Sequence, residues 1–515
     1  MPSADLILAN ANVITMDSSQ PGAELVAIKD DKVWLVTDND ALKRVKGVGT
    51  RVIDCQGRTL VPGFNDAHCH IFSLVRQLLS LDLSPESVGS ISDIKAAVHR
   101  QVQKIPAGKW IVGSGYNEFY LAEKRHPTRW DLDEVAPHHP VLLTHRSLHA
   151  CILNSRALSL AGIKAETPEP PGGLIDRDLA TGEPNGILFE MVGYLRERVL
   201  PPLSEEEIFK GANLANRYYL SLGITSLQDA TIANDFSRWQ TLRMLKETGI
   251  LSSRISAMCG INALRHFQHN GFSFGSGDSQ LRLGAVKIML SEATGRVYPS
   301  RSELEQQVLT AHKAGFQLAI HAVEQSSVEA AVNALEYANS QLPRAGHRHR
   351  IEHCSHCPPS LLKRLSKLQP VIVTQSPFIY YSGERYQTTL PASQLRWLYP
   401  TRSWLNNGLV VADSSDSPVV PAGPLTGIYA AVTRQARSGH QLPLRERVSA
   451  SEALKMNTIN AAYASFEEDI KGSISPGKLA DIVVLSDDPL KSPPERIKDI
   501  RVGMTIIGGK VAWET

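Results

Sequence analysis

Eight short apolar runs, each closed by glycine or a polar turn, constrain this chain more than any other feature. They are FNDAHCH (Phe64–His70), GITSLQDA (Gly223–Ala230), RISAMCGIN (Arg254–Asn262), LGAVKIMLS (Leu283–Ser291), QLAIHAVE (Gln317–Glu324), HRIEHC (His349–Cys354), VIVTQSP (Val371–Pro377) and LVVADSSDSP (Leu409–Pro418). Between them lie stretches such as SELEQQVLTAHKAG and SVEAAVNALEYANS, which have helical periodicity and good helix formers. Eight strand–helix units in succession predict a closed parallel (β/α)8 TIM-like barrel, an α/β fold whose active sites sit where the strands end. The third run is the least marked of the eight.

The two ends of the chain read differently. DLILANANVITMD, ELVAIKDDKVWLVT and RVIDCQGRTLVPG at the start, and GSISPGKLADIVVLSDDP and IRVGMTIIGGKVAWE at the finish, are β-branched runs separated by Asn, Asp and Gly. Such runs pair as antiparallel strands. They predict a small β-sandwich domain formed by residues 1–60 and 470–515, with the barrel occupying 61–469. A long insertion of about 73–222 follows the first barrel strand; it holds the turn-rich TPEPPGGLIDRDLATGEPNG and a helix over SEEEIFKGANLANRYYLSL. Insertions of this kind commonly cap the mouth of a barrel, and that is the expected role here.

Composition excludes several classes. Lys and Arg number 54 against 52 Asp and Glu, and the basic residues are dispersed, so neither a nucleic-acid footprint nor a membrane-surface patch is expected. No apolar run approaches a membrane span. The opening MPSADLILANANVITMD lacks the basic start and apolar core of a secretory leader. The six cysteines are sparse for 515 residues and are expected as reduced thiols in a cytoplasmic protein.

Ionisable residues gather near the ends of five runs: His68 and His70, Lys287, His321, His353 and Asp416. Residues two apart on a strand share a face, so His68 and His70 project together while Cys69 turns away. Any one of these groups is compatible with a hydrogen-bonded core residue. Six of them on one face of a barrel are not, because buried ionisable groups are tolerated only when paired or bound to metal.

The stretches PGFNDAHCH, VKIM, LAIHA, RIEH and SSDSP are similar to the first, fourth, fifth, sixth and eighth strand motifs of the amidohydrolase superfamily. HPTRWDLDEVAPHHPVLLTHRSLHACILNSRALSLAGI, PGGLIDRDLATGEPNGIL, SPVVPAGPLTGIYAAVTR and GSISPGKLADIVVLSDDP extend the likeness. The chain thereby resembles the YtcJ-like amidohydrolases, the group that includes N-substituted formamide deformylase. The resemblance implies a metal-dependent hydrolase cleaving a C–N bond in a small amide, an N-formyl or N-acyl amine or a cyclic amide. It also implies a homodimer, since relatives are commonly dimers. His68 and His70 would hold one divalent ion and His321 and His353 a second, with Lys287 as a bridging N6-carboxylysine. Asp416 would be both a ligand and the general base for the attacking water. Zinc suits this mixed imidazole and carboxylate set best; manganese, nickel and iron also fit.

Some positions depart from that pattern. Ser291-Glu292-Ala293 stands where Asp-Gly is usual, Glu324-Gln325 where Gly-Asp is usual, and QSPFIYYSGERY puts Phe378 near an expected histidine. These departures imply an altered substrate pocket involving Glu292, Glu324, Phe378, Tyr380 and Tyr381. His149 in LHACILNS is a further candidate for substrate contact, ahead of His145, Arg146, Asn154 and Tyr116. His321-Ala-Val-Glu324 also resembles the His-x-x-Glu of mononuclear deaminases. Hydrolytic deamination of an amino-heterocycle is therefore one alternative, and a non-catalytic scaffold of the same fold is another. HCSHC (His353–Cys357) has the look of half a structural zinc site, but no second CxxC completes it. Cys354 and Cys357 are expected as plain thiols.

Overall fold

The computed structural model describes residues 3–515. All eight runs form strands: β1 (Phe64–Cys69), β2 (Ile224–Asp229), β3 (Arg254–Gly260), β4 (Leu281–Met289), β5 (Leu318–Ala322), β6 (Arg350–His353), β7 (Val371–Thr374) and β8 (Val411–Asp413). They make one eight-stranded sheet in chain order, each strand parallel to the next. β1, β2 and β3 are buried at every position. A barrel strand covered on both faces shows no alternation, which explains why the third run is so poorly marked in the sequence.

The sheet closes just beyond the ends of β1 and β8. Cys69 pairs with Ser417 there, the Asp416 N–H donates to the His68 carbonyl at 2.8 Å, and the His70 N–H donates to the Ser417 carbonyl at 2.7 Å. Asp66 adds a side-chain stitch, accepting from the Ser415 N–H at 3.0 Å and from its hydroxyl. Gly63 is required at the entry to β1: a Cβ at that position would lie 2.1 Å from Thr225 Oγ1. A larger residue would force the first two strands apart.

Helices follow the strands. Asp235 caps Phe236–Glu247 by accepting from the Arg238 N–H, and proline opens Pro359–Leu368, Pro377–Thr389 and Pro424–Thr433. Gln325–Gln341 buries Val328, Ala331, Val332, Leu335 and Ala338, the single stripe of an amphipathic helix lying on a sheet.

Both termini contribute to a pair of sheets. One has Lys32–Thr37, Leu25–Lys29, Leu6–Ala9 and Arg51–Asp54 in that order; the other runs Lys510–Glu514, Val502–Ile507, Ile482–Leu485, Thr59–Pro62, Asn12–Ile14 and Gly22–Ala23. Leu8, Val26 and Ile28 of the first share one apolar core with Leu60, Ile482 and Met504 of the second. That shared core makes the pair a sandwich.

The chain divides into two compact units. One comprises the residues up to His70, Asn216–Met289 and Ser302–Thr515; the other comprises Ile71–Ala215 and Leu290–Arg301. The second unit holds a six-stranded mixed sheet, in the order Leu174–Arg177, Pro184–Phe189, Ala150–Leu153, Val141–His145, Ile111–Tyr116 and Leu81–Asp82. Leu143 and Ile152 face a cluster with the helix Ile91–Val102, whereas Leu142 and Leu153 face one with Ser155–Leu160 and Val192–Arg198. The sequence reading anticipated only the helix now seen at Glu205–Ser221. Among the described residues, no helix is long and apolar enough to cross a membrane. All six cysteines are buried and unpaired, as expected of reduced thiols.

Candidate metal centre

The ends of β1, β4, β5 and β6 and the turn after β8 bring the predicted groups together. Ligand atoms of His68, His70 and Asp416 all lie within 4.8 Å of one another. An Asp416 carboxylate oxygen stands 3.0 Å from His70 Nε2 and 3.5 Å from His68 Nε2. The His353 ring is 5.0 Å from that of His68 and 4.4 Å from that of His321. Lys287 is fully buried, and Glu352 and Asp416 are the carboxylates that act on it most strongly.

Backbone conformation sharpens the turn at two of these residues, His353 and Asp416, and at the neighbouring Cys354. His353 (φ 70°), Cys354 (φ 50°) and Asp416 (φ 57°) adopt left-handed geometry without being glycine. Such positions cost about 1–3 kcal/mol each and concentrate at active sites.

Three of the imidazoles, those of His68, His70 and His353, are held from behind. His68 Nδ1 meets Glu352, His70 Nδ1 meets the Thr231 hydroxyl at 2.9 Å, and His353 Nδ1 meets Gln375 Oε1 at 2.6 Å. With Nδ1 engaged, Nε2 is the atom left to face the centre, the arrangement metal-binding histidines use. Glu352 and Gln375 escaped the sequence reading. A polar residue inside a buried strand run, the Glu of RIEH and the Gln of VTQSP, was the signal that could have found them.

Electrostatics agree with a cation at this place. Burial, then the Lys287 charge, holds His68 far down from its ordinary value, and burial lowers His353 to about 4. Burial alone would raise Asp416, but the His70 hydrogen bond and the surrounding imidazoles outweigh it and hold the carboxyl well below the usual range. Burial lowers Lys287 to about 8, and its Nζ has no hydrogen-bond partner. An unpaired ammonium at such depth costs several kcal/mol. An orphaned buried amine beside imidazoles that present Nε2 and an ionised carboxylate is a donor set that fits divalent metal.

The remaining candidates are placed as follows. The Phe378 ring lies 6.5 Å from that of His353 with planes 21° apart. Tyr380 packs on Tyr381 and Tyr429, with ring centres 5.0 and 5.7 Å away. Glu324 accepts from His356 Nδ1 at 2.7 Å and is half exposed. His149 and Glu292 belong to the second unit, where His149 Nδ1 lies 2.9 Å from Glu190. In the same unit, His145 Nε2 meets Glu118 at 2.8 Å, the Tyr116 hydroxyl meets His126 at 3.0 Å, and Asn154 caps Ser155–Leu160.

The amidohydrolase family profile matches residues 51–512. The chain belongs to the amidohydrolase family. It is a hydrolase acting on carbon–nitrogen bonds. N-substituted formamide deformylase of Arthrobacter pascens is 30% identical over 537 residues, covering 99% of this chain and 98% of the relative. The amidohydrolase YtcJ of Bacillus subtilis is 26% identical and covers 98% of each. A metal-dependent hydrolase from Pyrococcus furiosus superposes with a TM-score of 0.73 at 25% identity, covering 94% of this chain and all of that one. Metal-dependent hydrolysis is therefore the general chemistry of this amidohydrolase, and His68, His70 and Asp416 form a group able to hold a metal ion.

Proposed function

We propose that the protein hydrolyses the C–N bond of a small amide, an N-formyl or N-acyl amine or a cyclic amide. His68, His70, His321, His353 and Asp416 hold divalent metal, with zinc the best match to the set. Lys287 serves as N6-carboxylysine: a carbamate needs a neutral amine, which a buried lysine lowered to about 8 supplies. A divalent ion at this place supplies Lewis-acid polarisation and makes water ionisable near neutral pH.

The chain's own groups do the rest. Asp416 stays ionised and accepts the proton of the attacking water at its carboxylate, then delivers it to the departing nitrogen. Its position is fixed from behind by its own N–H on the His68 carbonyl. Glu352 and Gln375 hold the His68 and His353 rings, and Phe378 offers an apolar wall beside His353.

The convergence of His68, His70 and Asp416 within 4.8 Å carries this reading. Deamination would need Glu324 as a proton shuttle, but His356 already engages that carboxylate at 2.7 Å, so amide hydrolysis is favoured. The test is a turnover screen of metal-loaded protein on N-formyl and N-acyl amines, aryl amides, hydantoin-like rings and amino-heterocycles. Turnover confined to the amino-heterocycles would transfer the assignment to deamination. A purified chain that takes up no divalent metal would favour the scaffold.

A further inference from the structure

Of the three imidazoles with a partner behind them, His68 and His353 are backed by buried side chains that differ in charge. Glu352 is fully buried and accepts from Arg350 Nε at 2.7 Å and from Arg350 Nη2 at 3.0 Å. Arg350 also donates to the Gln228 side-chain oxygen and the Ala67 carbonyl. Paired through both oxygens with the Arg350 guanidinium, Glu352 is held as a carboxylate, which has no proton to donate and accepts in every contact it makes. The proton of His68 therefore sits on Nδ1, and its lone pair on Nε2.

Behind His353 the chain is neutral. The Ser414 hydroxyl donates to the Thr374 carbonyl at 2.9 Å, so its oxygen must accept from the Gln375 amide nitrogen, also at 2.9 Å. That fixes the amide orientation and leaves Gln375 Oε1 to accept from His353 Nδ1. Both rings end in the same tautomer, one backed by a carboxylate and the other by an amide dipole. A carboxylate behind a ligating imidazole raises its basicity toward a cation, and partners of this kind are worth about 10- to 100-fold in metal affinity. The Arg350 ion pair tempers that difference without removing it, since Glu352 remains the stronger acceptor. Asp416 adds a second anion beside His68 and His70.

We propose that Glu352 and Gln375 are positioning residues that make two metal positions unequal: the His68, His70 and Asp416 position fills first and holds tightly, and the His321 and His353 position fills second and empties readily. This rests on the metal-dependent reading above, with His321 and His353 taken as a second position, and adds an order of occupancy set by residues that touch no metal; a wild-type chain that takes up a single equivalent of cobalt(II) would overturn it.

Equilibrium dialysis of the full chain, stripped with a chelator and titrated with cobalt(II) in bicarbonate buffer, tests it. Wild type should show two classes of site at least about tenfold apart. Gln375→Glu should tighten the weaker class by about 10- to 100-fold, with a changed cobalt absorption spectrum for the second equivalent and the stronger class unmoved. Glu352→Gln should weaken the stronger class. Because Glu352 also neutralises Arg350, Gln375→Glu is the deciding variant, as it breaks no ion pair. Two equal classes in wild type, or a folded Gln375→Glu with an unmoved weaker class, would overturn the proposal alone. A chain that takes up no cobalt would overturn the metal reading and the proposal together.

Discussion

Asp416 donates its backbone N–H to the carbonyl of His68 at 2.8 Å, while its carboxylate oxygen stands 3.5 Å from the Nε2 of the same histidine. The contact that closes the barrel seam thus also sets the distance between a ligand and the base. Barrel closure and site assembly are one event at this place, which is why residues from the first and last strands can be positioned together.

Asp416→Asn keeps the shape of the side chain and the seam hydrogen bond but removes the ionised acceptor. Turnover per bound metal should fall by about 10²- to 10⁴-fold, the range typical of a lost general base, and metal should also be held more weakly, because one anionic ligand is gone. Paired kcat and metal measurements check this; a fully active Asp416→Asn would remove Asp416 from the role of base.

Lys287 gives the metal-stripped protein a distinctive pH dependence. Burial lowers its pKa from 10.5 to about 8, so between those values the unfolded chain binds a proton that the folded chain has released. Stability of the stripped protein should therefore rise as pH increases from 8 towards 10.5. At lower pH the fold carries a penalty of about 3 kcal/mol. Urea unfolding at several pH values should show the slope in wild type and not in Lys287→Met, which should also lose turnover.

A second pH window belongs to three histidines outside the metal-centre set, His312, His347 and His349. His349 Nδ1 accepts from the Leu318 N–H at 3.1 Å, His349 Nε2 meets His312 Nδ1 at 2.8 Å, and His347 Nδ1 accepts from the His349 N–H at 2.9 Å. His347 and His349 each offer Nδ1 as an acceptor to a backbone N–H, so both rings must be neutral for this chain to persist. Burial lowers His347 from 6.5 to about 4 and holds His349 well below its ordinary value. The unfolded chain binds more protons across that interval, so stability should fall as pH drops from 6.5 through 4. His347→Asn, whose side-chain oxygen can replace Nδ1 as acceptor, should flatten the dependence in urea midpoints.

Arg254 at the start of β3 pairs with Asp481 of the terminal sandwich through Nε at 2.6 Å and Nη2 at 2.9 Å, both side chains buried. Asp481→Ala leaves a buried guanidinium without its anion and should cost about 3–5 kcal/mol in chemical unfolding. A loss below 1 kcal/mol would mean that the neighbouring Ser279 contacts satisfy Arg254 by themselves.

How much of this was legible in the sequence depended on how local each signal is. The eight runs were readable because glycine, aspartate or a turn closes each one, and the His68 and His70 pair because alternation puts both on one face. The sheet of the insertion was not, since strands such as Ala150–Leu153 are short and buried throughout, and their order 174–177, 184–189, 150–153 departs from the order of the chain. Pairings between strands were equally hidden. Glu324 engages His356 on the next strand's loop and Tyr380 packs on Tyr429, contacts between distant segments that spacing along the chain does not reveal. Glu352 passed unremarked because its meaning lies in an imidazole proton on β1, a fact of geometry rather than of spacing.

The central claim is tested most directly by a crystal of the zinc-loaded protein, measured on either side of the zinc absorption edge. The account predicts an anomalous peak among His68, His70 and Asp416, with Lys287 and the rings of His321 and His353 beside it. A well-ordered map with no peak there, or with zinc bound only elsewhere on the chain, would contradict it.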